Sequence, residues 1–433
     1  MNILVLSNTA WNKDNSFGNS FSNIFEGIPN IKFANIYCRT GEPDNGFDMQ
    51  YFQITEKSLI DNLRYKHIPS GRIVYHQDST NLERENLNKY EVPGFSQASK
   101  MRWQIMFWAR DCIWKFGRWK SVQLLRFIDD FKPDLIFQPV YIKPYINDIA
   151  LFIKKYTNVP MIGYISDDNY TLKQYRLSPL YWIDRLYNRR KVREVIEQCK
   201  LLYVISDIQK KEYEEIFTPP CKVLTKCADF TKTLPKWPLP NKKISLIYAG
   251  NLGTGRWKSL GLISKVIERL QNENYLITLD VYSSTPQTKR IKKELHKRGT
   301  TLHGAVPYKY ILDLEQQADI LVHVEGLEKK NRLEVHQSFS TKLVDFFELG
   351  KCIFAIGTED EASIYHLIKN DAAIVAKNED EIYKKLKYIV MHPEIVLEYG
   401  EKAFLCGAKN HNKLYIQRML MQDIEKVITE RGK

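Results

Sequence analysis

Ile244-Ser245-Leu246-Ile247-Tyr248-Ala249-Gly250-Asn251-Leu252-Gly253-Thr254-Gly255-Arg256-Trp257-Lys258 passes from an apolar run through a glycine-rich turn into a helical period that continues to Leu270. A strand that opens into a turn and then a helix is the building unit of a parallel sheet covered by helices. The turn also carries chemistry. Gly250, Gly253 and Gly255 let the backbone at Asn251 approach an anion closely, while the free N–H groups and dipole of a helix start attract phosphate. Arg256 and Lys258 add positive charge where a diphosphate would lie. An ordinary glycine turn with solvated basic residues remains the plainer alternative. The spacing is not the GxGxxG dinucleotide fingerprint, and no GxxxxGK[ST] loop occurs, so neither NAD nor P-loop chemistry is supported.

The same alternation recurs on both sides of this segment. Earlier runs are Ile3–Leu6, Ile31–Tyr37, Tyr51–Ile54, Leu135–Phe137, Met161–Ile165, Leu201–Ile205 and Val223–Leu224; later ones are Tyr275–Tyr282, Ile320–Val324, Ile353–Ile356 and Ala372–Ala376. Two such series in 433 residues predict an α/β protein of two doubly wound, Rossmann-like domains with parallel sheets. The proline-containing stretch 230–243 suits a linker. It separates an N-terminal domain, 1–229, from a C-terminal domain, 244–410, with 411–433 set apart as a helix that could pack back on the first domain.

A hydrophobic share of 44% and a charged share of 27% are those of a globular chain with a substantial core. The seven cysteines are scattered and show no metal-ligand spacing, so no metal is expected and a reduced, cytoplasmic setting is. The N-terminus reads as a first strand rather than a signal peptide, and no run approaches the length of a membrane span. A formal charge of +13 favours anionic partners such as nucleotides or phospholipid surfaces. No nucleic-acid signature accompanies it, and nucleic acid is not expected as a partner.

A second informative segment runs from Gln337 through Ser340, Thr341, Lys342 and Asp345 into the strand after Lys351. Ser340 and Thr341 are placed to cap a helix that begins near Lys342 and offers N–H groups to an anion. Asp345 then falls one turn inside, where a carboxylate can accept both hydroxyls of a ribose. A capped helix whose Asp345 pairs with a lysine is the alternative.

Together the two segments resemble the donor domain of GT-B glycosyltransferases, especially the large family four that builds bacterial surface polysaccharides. Leu302–Pro307 and Ala318–Val322 look like that family's strand, "G-x-V-P" turn and "A-D-I" strand. The resemblance implies two domains facing a cleft, with Arg256 and Lys342 on the diphosphate and Asp345 on the ribose. It further implies Gly304, Ala305, Val306 and Pro307 on the base, a metal-independent reaction with no cofactor, and a nucleotide-sugar donor, UDP-linked rather than GDP-linked. The family's paired glutamates fall here on Gln337 and Asp345, so an amide stands where an acid is expected near the sugar; Glu325 is a candidate for the missing contact.

In the first half, Gly18 and Asn19 occupy the place of the family's acceptor-side loop. Asp167 and Asp168 sit at the end of a strand, where one could orient or deprotonate an acceptor hydroxyl or simply cap the next helix. Between Lys100 and Lys120 lie Met101, Arg102, Trp103, Trp108, Trp114, Phe116, Arg118 and Trp119, half of the chain's eight tryptophans. Such a basic aromatic helix suits the surface of an anionic membrane at the inner face of the cytoplasmic membrane; burial in the N-terminal core is the alternative. The expected activity is sugar transfer to a saccharide hydroxyl on a lipid-linked acceptor, with retention. The competing expectation is a non-catalytic GT-B partner or scaffold subunit.

Overall fold

The computed structural model describes residues 1–13, 16–75, 104–230, 233–240 and 243–430. β1 (Asn2–Ser7), β2 (Lys32–Tyr37), β3 (Met49–Ile54), β4 (Gly71–Val74), β5 (Leu135–Pro139), β6 (Met161–Ile165), β7 (Leu201–Val204) and β8 (Cys221–Val223) form one sheet. Its order is β4-β3-β2-β1-β5-β6-β7-β8. β9 (Lys243–Ala249), β10 (Leu276–Tyr282), β11 (Thr300–His303), β12 (Ile320–Val324), β13 (Cys352–Ile356) and β14 (Ile374–Ala376) form a second, ordered β11-β10-β9-β12-β13-β14. Every residue of β5, β6, β12 and β13 is buried, as expected of central strands with helices on both faces.

Among the described residues all strand pairings are parallel except one. The exception is the edge strand β4, which runs antiparallel to β3. This edge strand is only four residues long, and Gly71 passes so close to the Phe52 ring that an added Cβ would lie 2.4 Å from it. Strand order reverses between β1 and β5 and again between β9 and β12. Crevices outside the carboxyl ends of strands at such reversals are where open α/β sheets hold ligands.

The helix Lys413–Thr429 belongs in space to the first domain. Gln417 donates to the carbonyls of Ile24 and Glu26 at 2.9 and 2.8 Å, and Asp423 accepts from Tyr203 at 2.7 Å. Its Ile416, Leu420 and Ile424 enter the same core cluster as Phe25, Tyr203 and Leu224. In the described part of 230–243, Trp237 donates to Leu349 O at 2.9 Å and lies under Lys351, whose ammonium is 3.7 Å from the ring centroid.

The described tryptophans of the segment, Trp108, Trp114 and Trp119, pack within the N-terminal domain rather than forming a free aromatic face. Trp114 stacks on Tyr145 at 4.4 Å and donates to Glu56, Trp119 packs edge-on against Phe152, and Trp108 donates to Asp184 at 3.0 Å. These rings find neighbours because Gln104–Phe116 lies between other helices of the domain. Phe116 alone among the described rings of the helix is strongly exposed. Met101, Arg102 and Trp103 lie outside the described residues. No helix among the described residues is long and apolar enough to cross a membrane.

Candidate active site

A cleft of about 640 Å³ opens at the carboxyl end of β9, between the two domains. The C-terminal domain lines it with Gly250, Asn251, Tyr282, Ala305, Val306, Thr341, Lys342 and Asp345, and the N-terminal domain with Lys13, Asn19, Ser20 and Lys226. Three lysines face one aspartate, so the cleft is electropositive and suited to an anion.

Lys342 is fixed at the floor. Its ammonium donates to Ala249 O at 2.5 Å and pairs with Glu315 at 2.8 Å. Burial pushes the Glu315 carboxyl above its usual range, while Lys342 pulls it back. The helix Lys342–Leu349 begins at Thr341 without a side-chain cap. That corrects the capping role expected of Ser340 and Thr341: Thr341 is itself helical in φ and ψ, and Ser340 accepts from Leu343 N–H at 3.0 Å through its main-chain carbonyl, not its side chain, while donating its own N–H to the Ser363 hydroxyl. An uncapped helix start keeps its donors for a ligand. Asp345 pairs with Lys226 across the domain seam at 2.5 Å.

At the other end, Tyr282 and His303 stack with centroids 4.2 Å apart and planes 5° from parallel, and His303 is held by Asp280 at 2.7 Å. Backed by His303, Tyr282 joins Ala305, Val306 and Ile311 in a flat, partly apolar wall of the kind an aromatic base packs against. Gly304 and Pro307 are exposed beside it and do not line the cleft. Gly18 stands where a Cβ would come within 2.1 Å of Asn12 O, so the close packing that presents Asn19 and Ser20 requires glycine.

No protein-family model and no curated protein matches the sequence. Solved structures do match, over the length of both chains. The sucrose-phosphate synthase of Thermosynechococcus elongatus is similar over 99% of this chain and 100% of its own, with a TM-score of 0.63 at 9% identity. Anabaena HepE in complex with UDP-glucose is similar over 98% and 100%, with a TM-score of 0.58 at 12% identity. The E. coli trehalose-6-phosphate structure bound with UDP-2-fluoro glucose is similar over 98% and 99%, with a TM-score of 0.54 at 10% identity. The fold is GT-B. At these identities the likeness is one of architecture.

Several residues read from the sequence lie away from the GT-B cleft lining. Arg256 turns its guanidinium to Glu325, with Nε and a terminal nitrogen 3.1 and 2.9 Å from the same oxygen, and Glu325 also faces His323 at 3.4 Å. Burial opposes the charge on Glu325, but these two partners outweigh it and lower its pKa. Lys258 pairs with Glu328 on the surface. Gly255, at φ 78°, lets the turn pass Asn331, and Gly253 closes it by donating to Asn251 at 2.5 Å.

Gln337 is fully buried on the seam between the GT-B domains. It accepts from Gln209 at 3.2 Å, and its amide donates to Glu212 at 2.7 Å. It therefore does not face the donor cleft as expected. Asp168 is likewise engaged: its oxygens accept from the N–H groups of Tyr170 and Thr171, from the side chains of Thr171 and Gln174, and from Arg185 at 3.1 Å. It organises the turn after β6 instead of meeting an acceptor. Asp167 differs: it lies at the domain seam, where it accepts from Ser338 of the other domain at 3.0 Å. Its desolvation in the crevice raises its carboxyl above the usual range. Lys13, Lys226 and Tyr282 were not legible as site residues: each is a common surface or strand residue until the fold brings β1, β8 and β10 to one opening.

Proposed function

We propose that the chain is a glycosyltransferase moving a sugar from a UDP-linked donor to a saccharide hydroxyl, with retention, on a lipid-linked acceptor of bacterial surface polysaccharide assembly. The cleft carries this reading: three lysines and an uncapped helix start converge beside the Gly250 turn, at a topological switch point of a GT-B fold. The UDP-glucose and UDP-2-fluoro glucose in the HepE and E. coli structures support a uridine donor, and the family-four likeness of the two donor segments supports the biosynthetic setting. In this scheme Tyr282, Ala305 and Val306 receive the base, and Asp345 the ribose.

Lys342, Lys226 and the N–H groups at Thr341 and Lys342 neutralise the departing diphosphate without a metal. Lys342 is preorganised for this by Glu315 and Ala249 O, so its charge needs no rearrangement when the leaving group forms. Asp167 is the acceptor-side base, its raised pKa bringing it nearer the operating pH. Lys342→Ala and Asp345→Ala should each weaken UDP binding by about tenfold or more, the scale of a charge-assisted hydrogen bond. Isothermal titration checks this, and unchanged affinity in both variants rejects the site. Turnover of a panel of UDP- and GDP-sugars tests the activity.

One observation favours a second reading, a non-catalytic GT-B partner of a transferase complex. With Gln337 committed to the domain seam, the sugar side of the cleft lacks the acid expected there. UDP binding without transfer or hydrolysis, together with co-purification of an active transferase, selects this alternative.

A further inference from the structure

Two ionised side chains of the donor cleft are bound to each other across the domain seam. The Lys226 ammonium stands 2.5 Å from an Asp345 oxygen, with 13% and 20% of the two side chains exposed. Each is the other's one ion-pair partner among the described residues. The backbone is pinned on both sides of the contact. Around Lys226, Thr225 Oγ1 meets His411 Nδ1 at 2.9 Å, Cys227 N–H donates to Asn23 at 2.8 Å, and Ala228 N–H donates to His411 O at 2.9 Å. Asp345 belongs to the helix Lys342–Leu349, which is fixed by its buried Leu343, Val344, Phe346 and Phe347. An exchange of partners therefore falls to the side chains alone.

Asp345 is the group placed to accept ribose hydroxyls, and it lines the cleft together with Lys226, Gly250, Thr341 and Lys342. A ribose is neutral. To reach Asp345 it has to take the carboxylate from the ammonium, and an ammonium stripped of its partner in a mostly buried site is strongly unfavourable. A nucleoside brings nothing to replace the lost charge. A nucleoside diphosphate does, because its phosphates give Lys226 a new anion within the same cleft. Glu348, the next acid along the helix, is exposed, and a pair made there is worth little. Lys342 undergoes no such exchange, since Ala249 O and Glu315 hold it where it stands.

We infer that Lys226 is a specificity-determining residue: its contact with Asp345 bars the ribose site to nucleosides and yields it to ligands that carry phosphate. The inference rests on the ribose and diphosphate assignments proposed above. It adds that the selection is made by a contact between the domains, so the N-terminal domain tests for phosphate while the C-terminal domain receives base and ribose. Removing the ammonium then acts in opposite directions on two ligands. Uridine gains an Asp345 for which it no longer competes, and UDP loses a cation.

The test is isothermal titration of the full chain with UDP, and displacement of UDP by uridine, for the parent, Lys226→Met, Lys226→Gln and Lys226→Arg. The parent should prefer UDP by about a hundredfold or more. Lys226→Met and Lys226→Gln should each bind uridine about threefold to tenfold more tightly and UDP about tenfold more weakly, while melting like the parent. Lys226→Arg keeps the cation and should keep the parental preference. A substitution that merely loosened the seam would weaken both ligands together, and that result overturns the inference. So does a ratio of the two affinities that the neutral variants leave unchanged while the parent binds UDP. No UDP binding by the parent rejects the proposed donor site, and the inference with it, so the two failures are told apart.

Discussion

A carboxylate at position 337 would stand against Glu212, and the amide found there donates to that acid instead. Burial opposes the charge on Glu212, yet hydrogen bonds from His336, Lys173 and Gln337 prevail and hold its pKa at about 2. Gln337→Glu exchanges a hydrogen bond for a repulsion, and should lower stability near neutral pH by about 1–3 kcal/mol. The loss should shrink in acid as the new carboxyl takes a proton. Urea unfolding at neutral and acidic pH measures both, and identical midpoints for parent and variant in each condition would refute the contact. The position also shows where sequence reading stops. Thr341, Lys342 and Asp345 share one short helix start, so local spacing places them together. Gln337 and its partners Gln209 and Glu212 are 128 and 125 positions apart in the chain, and no local pattern announces such a meeting.

Whole elements were more legible than the contacts between them. The strand, turn and helix from Ile244 onward follow from alternation, glycine placement and a 3.6-residue period, all local properties. The tryptophan helix was ambiguous for the converse reason: dense rings serve a membrane face or a core equally well, and only packing on Tyr145 and Phe152 decides. Packing between elements also places His366, of the helix Ala362–Lys369, with its Nε2 3.2 Å from Nε2 of His411, at the end of Glu394–Asn410. Phe339 packs on both rings. Burial lowers the two pKa values from 6.5 to about 4 and about 3. The unfolded chain therefore binds more protons than the folded one between these values, and stability should fall as pH drops from about 6.5 toward 4. Thermal melts across that range check the slope, which His366→Gln/His411→Gln should flatten.

At the scale of the molecule, the two domains are held by polar contacts that span the seam: Lys226 to Asp345, Asp167 to Ser338, Arg176 to Glu334, Asp207 to Lys369, and Glu212 to His336 at 2.7 Å. The bond to Glu212 raises the His336 pKa against the effect of burial. Its charge thus supports the closed arrangement below that pKa and is lost as pH rises through it. Small-angle scattering should show expansion as pH rises through the raised His336 pKa that His336→Gln does not share; equal curves for the parent from acidic to alkaline pH would exclude the device. The helix Lys413–Thr429 adds a covalent counterpart to these contacts, since the backbone crosses between domains once after β8 and again before Lys413. Its consequence is one of timing. A ribosome makes β1 to β8 first, but the core beneath Phe25 and Tyr203 waits for Ile416, Leu420 and Ile424, so the first domain begun is completed only after the second has been made.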